Sequence, residues 1–261
     1  MWLEAGLSKL VDEFWSAQPG GREPFPRDLI YPTMFALPVS VHLLPRLTTA
    51  QAERYVHSLG VPTPVDLSRP DRRLRGCLLA YGGHGFILVD SADPPDERRF
   101  TLAHELSHFM LDYLEPRRRT IEALGEQIVP VLDGLRPPTP VERAHAILGG
   151  VSLGLHVDLM ERTGAGGYAS RAIFTAEERA DRLALELLAP AEDVWRAISN
   201  LPEARGSGHS YQALHRRAAD LLVRHYGLPE EQAQSYANWL LRQAGYRPGV
   251  REWLGIETPR E

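Results

Sequence analysis

The feature that most narrows what this chain can become is a five-residue run, His104-Glu105-Leu106-Ser107-His108, inside a segment patterned as an amphipathic helix. Positions i and i+4 of a helix project from one face, so the two imidazoles can turn a nitrogen each towards a single metal ion. Glu105 stands one residue round from His104, within reach of a water on such an ion. Zinc lowers the pKa of its bound water towards about 7, and a nearby carboxylate can then take the proton as that water attacks a carbonyl. One spacing thus encodes ligation and general-base chemistry together. A chain of this composition would produce the pattern by chance about three times in a hundred, so the surroundings must carry weight. Asp93-Pro94-Pro95-Asp96 reads as a helix start, with Asp93 as cap, Pro94 in the first turn and Asp96 at the positive end of the dipole. Leu102, Leu106, Phe109 and Met110 continue the apolar stripe to about Tyr113. A hairpin, Leu74–Tyr81 and Phe86–Asp90 joined by Gly82-Gly83-His84-Gly85, comes just before.

A catalytic zinc takes three protein ligands and keeps one open position. The best third candidate lies on a helix expected over about 176–188, and Glu177 and Glu178 compete for the role. Thr175 and Glu178 stand at capping-box spacing, and Glu178 can also pair with Arg182 at i+4, which gives it local work. Glu177 has none. It shares a face with Ala180, Asp181 and Ala184, small residues that let this helix approach the His104–His108 helix. Asp181 is then the natural acceptor for the other ring nitrogen of a ligand histidine.

The rest of the chain sets the frame. Its 261 residues suit one large domain, or a domain with a small lobe. With 29 basic and 34 acidic side chains, a net charge of −5 argues against a nucleic-acid coat or a polybasic membrane anchor. One cysteine allows neither an internal disulfide nor a thiolate cage, which suits a reducing compartment. No signal-like N-terminus or membrane-length apolar run is visible, so the expectation is a soluble, cytoplasmic protein with no membrane partner. Residues 2–17 read as a helix and Leu37–Leu44 as a strand, and Thr48 or Thr49 caps a helix to about Ser58. Val141–Leu148 and Val151–Met160 read as helical pieces within a long stretch, 115–174. Residues 202–210 read as a linker and 211–254 as three short helices. The sum is an α+β chain with a small N-terminal antiparallel sheet, two candidate ligand helices and a mainly helical C-terminal lobe.

The run Arg98 to Phe109, then Glu177 to Asp181 and Leu187-Leu188-Ala189-Pro190, resembles the ImmA/IrrE family of zinc metallopeptidases, gluzincin-like proteins with HExxH on one helix and a glutamate ligand on a later one. The resemblance covers about residues 37–200. It implies a zincin-like fold, one Zn2+ per chain held by His104, His108 and Glu177, and Glu105 as catalytic base. It also implies cleavage of a helix-turn-helix repressor, switching on stress-response, mobile-element or phage-defence genes. Three departures stand out. Ser107 replaces the usual glycine, Ala189 the usual methionine, and the gap from His108 to Glu177 is longer than usual. Residues 115–174 are therefore expected to be an insertion within a peptidase domain spanning 1–205. Residues 206–261 would form a helical lobe packed on that domain, and the signalling domain of longer members is not expected.

Other positions carry less. Cys77, in the hairpin beside the expected cleft, could act as a latency switch by putting its thiolate on the fourth zinc position, although a lone cysteine is more often a small buried filler. Tyr168, His209, Tyr211 and His215 are candidate donors to the oxyanion of a tetrahedral intermediate. Arg117-Arg118-Arg119 reads as a solvated turn. Nucleic acid is not expected as the main ligand, and the C-terminal lobe is where it could act as an activator. The rival to an enzyme is a regulatory module that keeps zinc for structure and controls a transcription factor by binding. A fourth protein ligand would mark the module, and an open fourth position the enzyme.

Overall fold

The computed structural model describes residues 4–60, 70–162, 171–205 and 210–247. It opens with α1 (Ala5–Ser16), α2 (Ile30–Ala36), β1 (Val39–Leu44) and α3 (Thr49–Ser58). The hairpin follows as β2 (Leu74–Tyr81) and β3 (His84–Asp90), and leads into α4 (Pro95–His108). Beyond a wide π-type turn at Phe109–Leu114 come α5 (Glu115–Leu124), α6 (Val129–Leu132), α7 (Pro140–Gly149) and β4 (His156–Glu161). The described chain ends in α8 (Arg171–Leu188), α9 (Ala191–Ser199), α10 (Pro202–Arg205), α11 (Tyr211–Arg224) and α12 (Glu230–Gln243). No described helix is long and apolar enough to cross a membrane.

The fold is α+β, as expected, but the sheet differs in two respects. Its order is β1-β3-β2-β4, with β1 parallel to β3 and β4 antiparallel to β2, so it is mixed rather than antiparallel. A parallel pair needs a crossover, and α3 with β2 supplies the intervening chain. The second difference is β4, since residues 156–161 form a strand where a helical piece was expected. Short apolar runs do not distinguish the two states by hydrophobicity alone. The deciding feature is the alternation of His156, Asp158 and Met160 with Val157 and Leu159, which fits the open edge of β2. Part of the 115–174 stretch is thus built into the sheet, while α5 and α7 pack together beside it.

The two faces of the sheet bury different clusters. Leu78, Ala80, Ile87 and Val89 face α4 and join the main core. Cys77, Leu79 and Leu88 face α3 and pack with Leu47, Ala52 and Val56. Thr48 and Gln51 form the capping box that starts α3. Leu7, Leu10, Val11, Phe14 and Trp15 of α1 belong to the main core, as do Leu214, Ala218, Leu222, Leu240 and Leu241 of the C-terminal helices. The third short helix expected in 211–254 would have to lie after α12, where residues 248–261 are outside the described residues.

Three local expectations change. Pro94, not Asp93, occupies the cap position of α4, and Asp93 instead pairs with Arg162 at 2.7 Å. Because α8 begins at Arg171, Thr175 is inside the helix and its hydroxyl donates to the carbonyl of Arg171, so no capping box forms with Glu178. Arg117 is buried rather than solvated, and pairs with Asp133 at 2.8 Å.

Candidate metal centre

Helices α4 and α8 pack directly against each other, with Ala103, Ala180 and Ala184 fully buried. That contact brings Glu177 of α8 over the face of α4 that carries both histidines. Nε2 of His104 and Nε2 of His108 are 3.1 Å apart. Glu177 places Oε2 3.4 Å from the first and Oε1 3.8 Å from the second. Two ligands of one tetrahedral zinc, each about 2.0–2.1 Å from the ion, stand about 3.4 Å from each other. One ligand atom from each residue lies within 4.8 Å of the others, and the donor set of two imidazoles and a carboxylate is one that zinc accepts. His104, His108 and Glu177 thus form a group that could bind a metal.

The remaining ring nitrogens are held from behind. Nδ1 of His104 donates to Oδ1 of Asp181 at 2.9 Å, the pairing expected for that aspartate. Nδ1 of His108 donates to Oδ2 of Asp112 at 2.7 Å. A carboxylate can only accept from each ring, so in the neutral imidazoles the free lone pair is at Nε2, on the side of Glu177. Asp112 escaped the sequence reading. Its signal was the i+4 spacing from His108, carried on the same helical run into the π-type turn. Burial works to lower the pKa of both histidines, but their carboxylate partners outweigh it, raising His104 to about 9 and His108 to about 11. The same bonds from the two histidines hold Glu177 well below the usual carboxylate range. The cluster therefore favours positive charge at its centre, which is what a cation displacing those protons would meet.

Glu105 is fully buried, and neither of its carboxylate oxygens has a hydrogen-bond partner among the described residues. Burial, aided by the charge of Asp158, pushes its pKa up to about 8. Asp158 pairs in register with Leu78, so β4 contributes an acid on the α4 side of the sheet, a second contribution that sequence reading missed. Room for Glu105 comes from Gly76 on β2. A Cβ there would fall 2.5 Å from Cγ2 of Thr101 and 2.7 Å from Oε1 of Glu105, distances no real side chain tolerates.

Residues 62–128 match the IrrE N-terminal-like domain, a peptidase family. Over these residues, about a quarter of the chain, it is similar to that family. No curated protein and no solved structure gives a significant match. The match supports a metallopeptidase-type function. The IrrE N-terminal-like segment runs from before β2 to the 3-10 turn after α5, and so contains His104, Glu105, His108 and Asp112. Glu177, Asp181 and Asp158 lie beyond it and join the centre only through the packing of α8 and the pairing of β4.

The weaker candidates lie elsewhere. Cys77 is fully buried in the cluster facing α3, because alternation along β2 points it away from α4. The latency switch that Cys77 could have supplied is therefore not built, since the thiol is on the opposite face of the sheet from the histidines, and Cys77 is the small buried filler that a lone cysteine more often is. Burial also pushes that thiol well above its ordinary value, against a thiolate. Tyr211 donates to Asn238 at 2.7 Å, and Nε2 of His215 lies 3.0 Å from the carbonyl of Gln234, so both engage α12 rather than the metal centre. Tyr168 and His209 lie outside the described residues.

Proposed function

We propose that the chain is a cytoplasmic, zinc-dependent endopeptidase. The observation that carries this reading is the buried Glu105 carboxylate, without a hydrogen-bond partner among the described residues, beside three converging donors. Zinc bound by His104, His108 and Glu177 would supply Lewis-acid polarisation of a scissile carbonyl and of the attacking water. Glu105 takes a proton from that water as its oxygen bonds to the carbonyl carbon, and returns the proton to the amide nitrogen as the C–N bond breaks. Asp112 and Asp181 hold the two imidazoles in place throughout. β4 is an edge strand beside the centre, and an extended peptide can add to such an edge through backbone hydrogen bonds.

The substrate we propose is a helix-turn-helix repressor, whose cleavage would switch on stress-response, mobile-element or phage-defence genes. This rests on the resemblance to the ImmA/IrrE family. Against the regulatory-module alternative, the metal group among the described residues has three members. The adjacent Asp112 and Asp181 are directed to the Nδ1 atoms, so neither would serve as a fourth ligand to a metal held by His104, His108 and Glu177.

The test compares zinc content and cleavage of helix-turn-helix repressor proteins, for the wild type and Glu105→Gln. The expected result is retained zinc with cleavage reduced about 10²–10⁴-fold. Undiminished cleavage would remove the general-base role.

A further inference from the structure

A cavity of about 180 Å³ lies between α8 and α12, and Asp181, the acceptor for His104, forms part of its wall. Its lining is mainly apolar: Leu185 and the rings of Tyr236 and Trp239, whose centroids are 5.9 Å apart at an interplanar angle of 20°. Three carboxylates also line it, from Glu178, Asp181 and Glu186, against one cation, Arg182. Arg182 sits 4.0 Å from Glu178 and 5.4 Å from the Trp239 ring centroid, so one of the three carboxylates has a charge partner in the cavity. Asp181 engages His104 through Oδ1, and Glu186 accepts from the backbone N–H of Ala191. Among the described residues, neither has an arginine or lysine within ion-pairing distance. Burial raises the pKa of Glu186 although the charges of Arg22 and Arg27 and the bond from Ala191 act to lower it, so the carboxylate is desolvated beyond what those groups offset.

An apolar cavity with aromatic walls and excess negative charge fits a long alkyl stem ending in a cation. The stem lies along the rings and the head meets the carboxylates. We propose that this cavity takes an arginine or lysine side chain of the polypeptide on which the metal centre acts, a reading that rests on the peptidase function above. The basic head pairs with Asp181 and Glu186. Since Asp181 also holds His104, the same residue joins substrate recognition to the metal centre.

The experiment has two arms. In the first, Glu105→Gln protein labelled with ¹⁵N at its tryptophans is titrated with Nα-acetyl-arginine amide, and Nα-acetyl-norleucine amide serves as the uncharged control. The Trp239 indole signal is assigned with Trp239→Phe. The arginine probe should shift that signal and the norleucine probe should not. Glu186→Gln, which keeps an acceptor for Ala191, should weaken binding about two- to fivefold. No shift at Trp239, equal binding of the uncharged probe, or unchanged affinity in Glu186→Gln would overturn the proposal. In the second arm, the wild type is offered a peptide library, and cleavage should require a basic residue at a fixed distance from the scissile bond. Cleavage indifferent to basic residues would also overturn it. Selective arginine binding with no peptide cleaved would leave the cavity's specificity standing and remove the peptidase reading instead.

Discussion

The side chain of Glu105 occupies the space that Gly76 leaves on β2, with Oε1 only 2.7 Å from where a Cβ would stand. The candidate base is thus positioned by a missing side chain on the neighbouring strand as well as by its own helix. Gly76→Ala must push Thr101 and Glu105 aside, at a cost of about 1–3 kcal/mol in stability. A displacement of this kind should lower peptidase activity about 10²-fold, while His104, His108 and Glu177 still hold zinc. Zinc content and cleavage rate measured on the same preparation test this, and full activity in the folded variant would show that Glu105 does not depend on that space.

Asp112 holds the Nδ1 atom of His108 at 2.7 Å, on the side of the ring away from Glu177. Replacing it by Asn should weaken zinc binding about 10–100-fold, as loss of an orienting acceptor does in comparable sites. Competition with a chelator of known affinity measures the change. An unchanged zinc affinity would mean that helix packing alone orients the ring.

Cys77 faces α3, so Cys77→Ala should cost about 1 kcal/mol through the lost packing and leave zinc content and cleavage rate at wild-type levels. A latency switch would instead show as a rise in basal cleavage, readily seen in the same assay.

Asp90 is fully buried and accepts from the backbone of Arg46 and Ala92 and from the guanidinium of Arg162. Burial acts to raise its pKa, but these three donors prevail and hold it below the ordinary 3.8. A carboxyl whose folded pKa is depressed stabilises the protein fully above its unfolded value, and that stabilisation disappears as pH falls through the lower folded value. Asp90→Asn should therefore cost about 2–3 kcal/mol near neutrality, with the gap from wild type narrowing as pH drops below 3.8. Urea denaturation of both proteins across that range checks it, and a gap independent of pH would assign the loss to shape rather than charge.

Much of this protein was legible in its amino-acid order. His104, Glu105 and His108 follow from one helical spacing, and Glu177 with Asp181 follows from a second helix whose small residues allow close approach. The β2–β3 hairpin, α3 with its cap at Thr48, and the α1 core stripe are equally local, because propensity, turn chemistry and periodicity act over a few residues. What the tertiary structure alone decided involves partners distant in sequence. The open edge of β2 turned 156–161 into a strand and set Asp158 beside Glu105. Alternation against α3 and α4 put Cys77 on the far face of the sheet and Gly76 on the near one. The packing of α8 on α4 brought a glutamate from well outside the family-matched segment to within 3.4 Å of His104. Periodicity determines which faces a segment presents, but not which element covers them. The covering elements are chosen by burial across the whole chain, and that choice completed the centre.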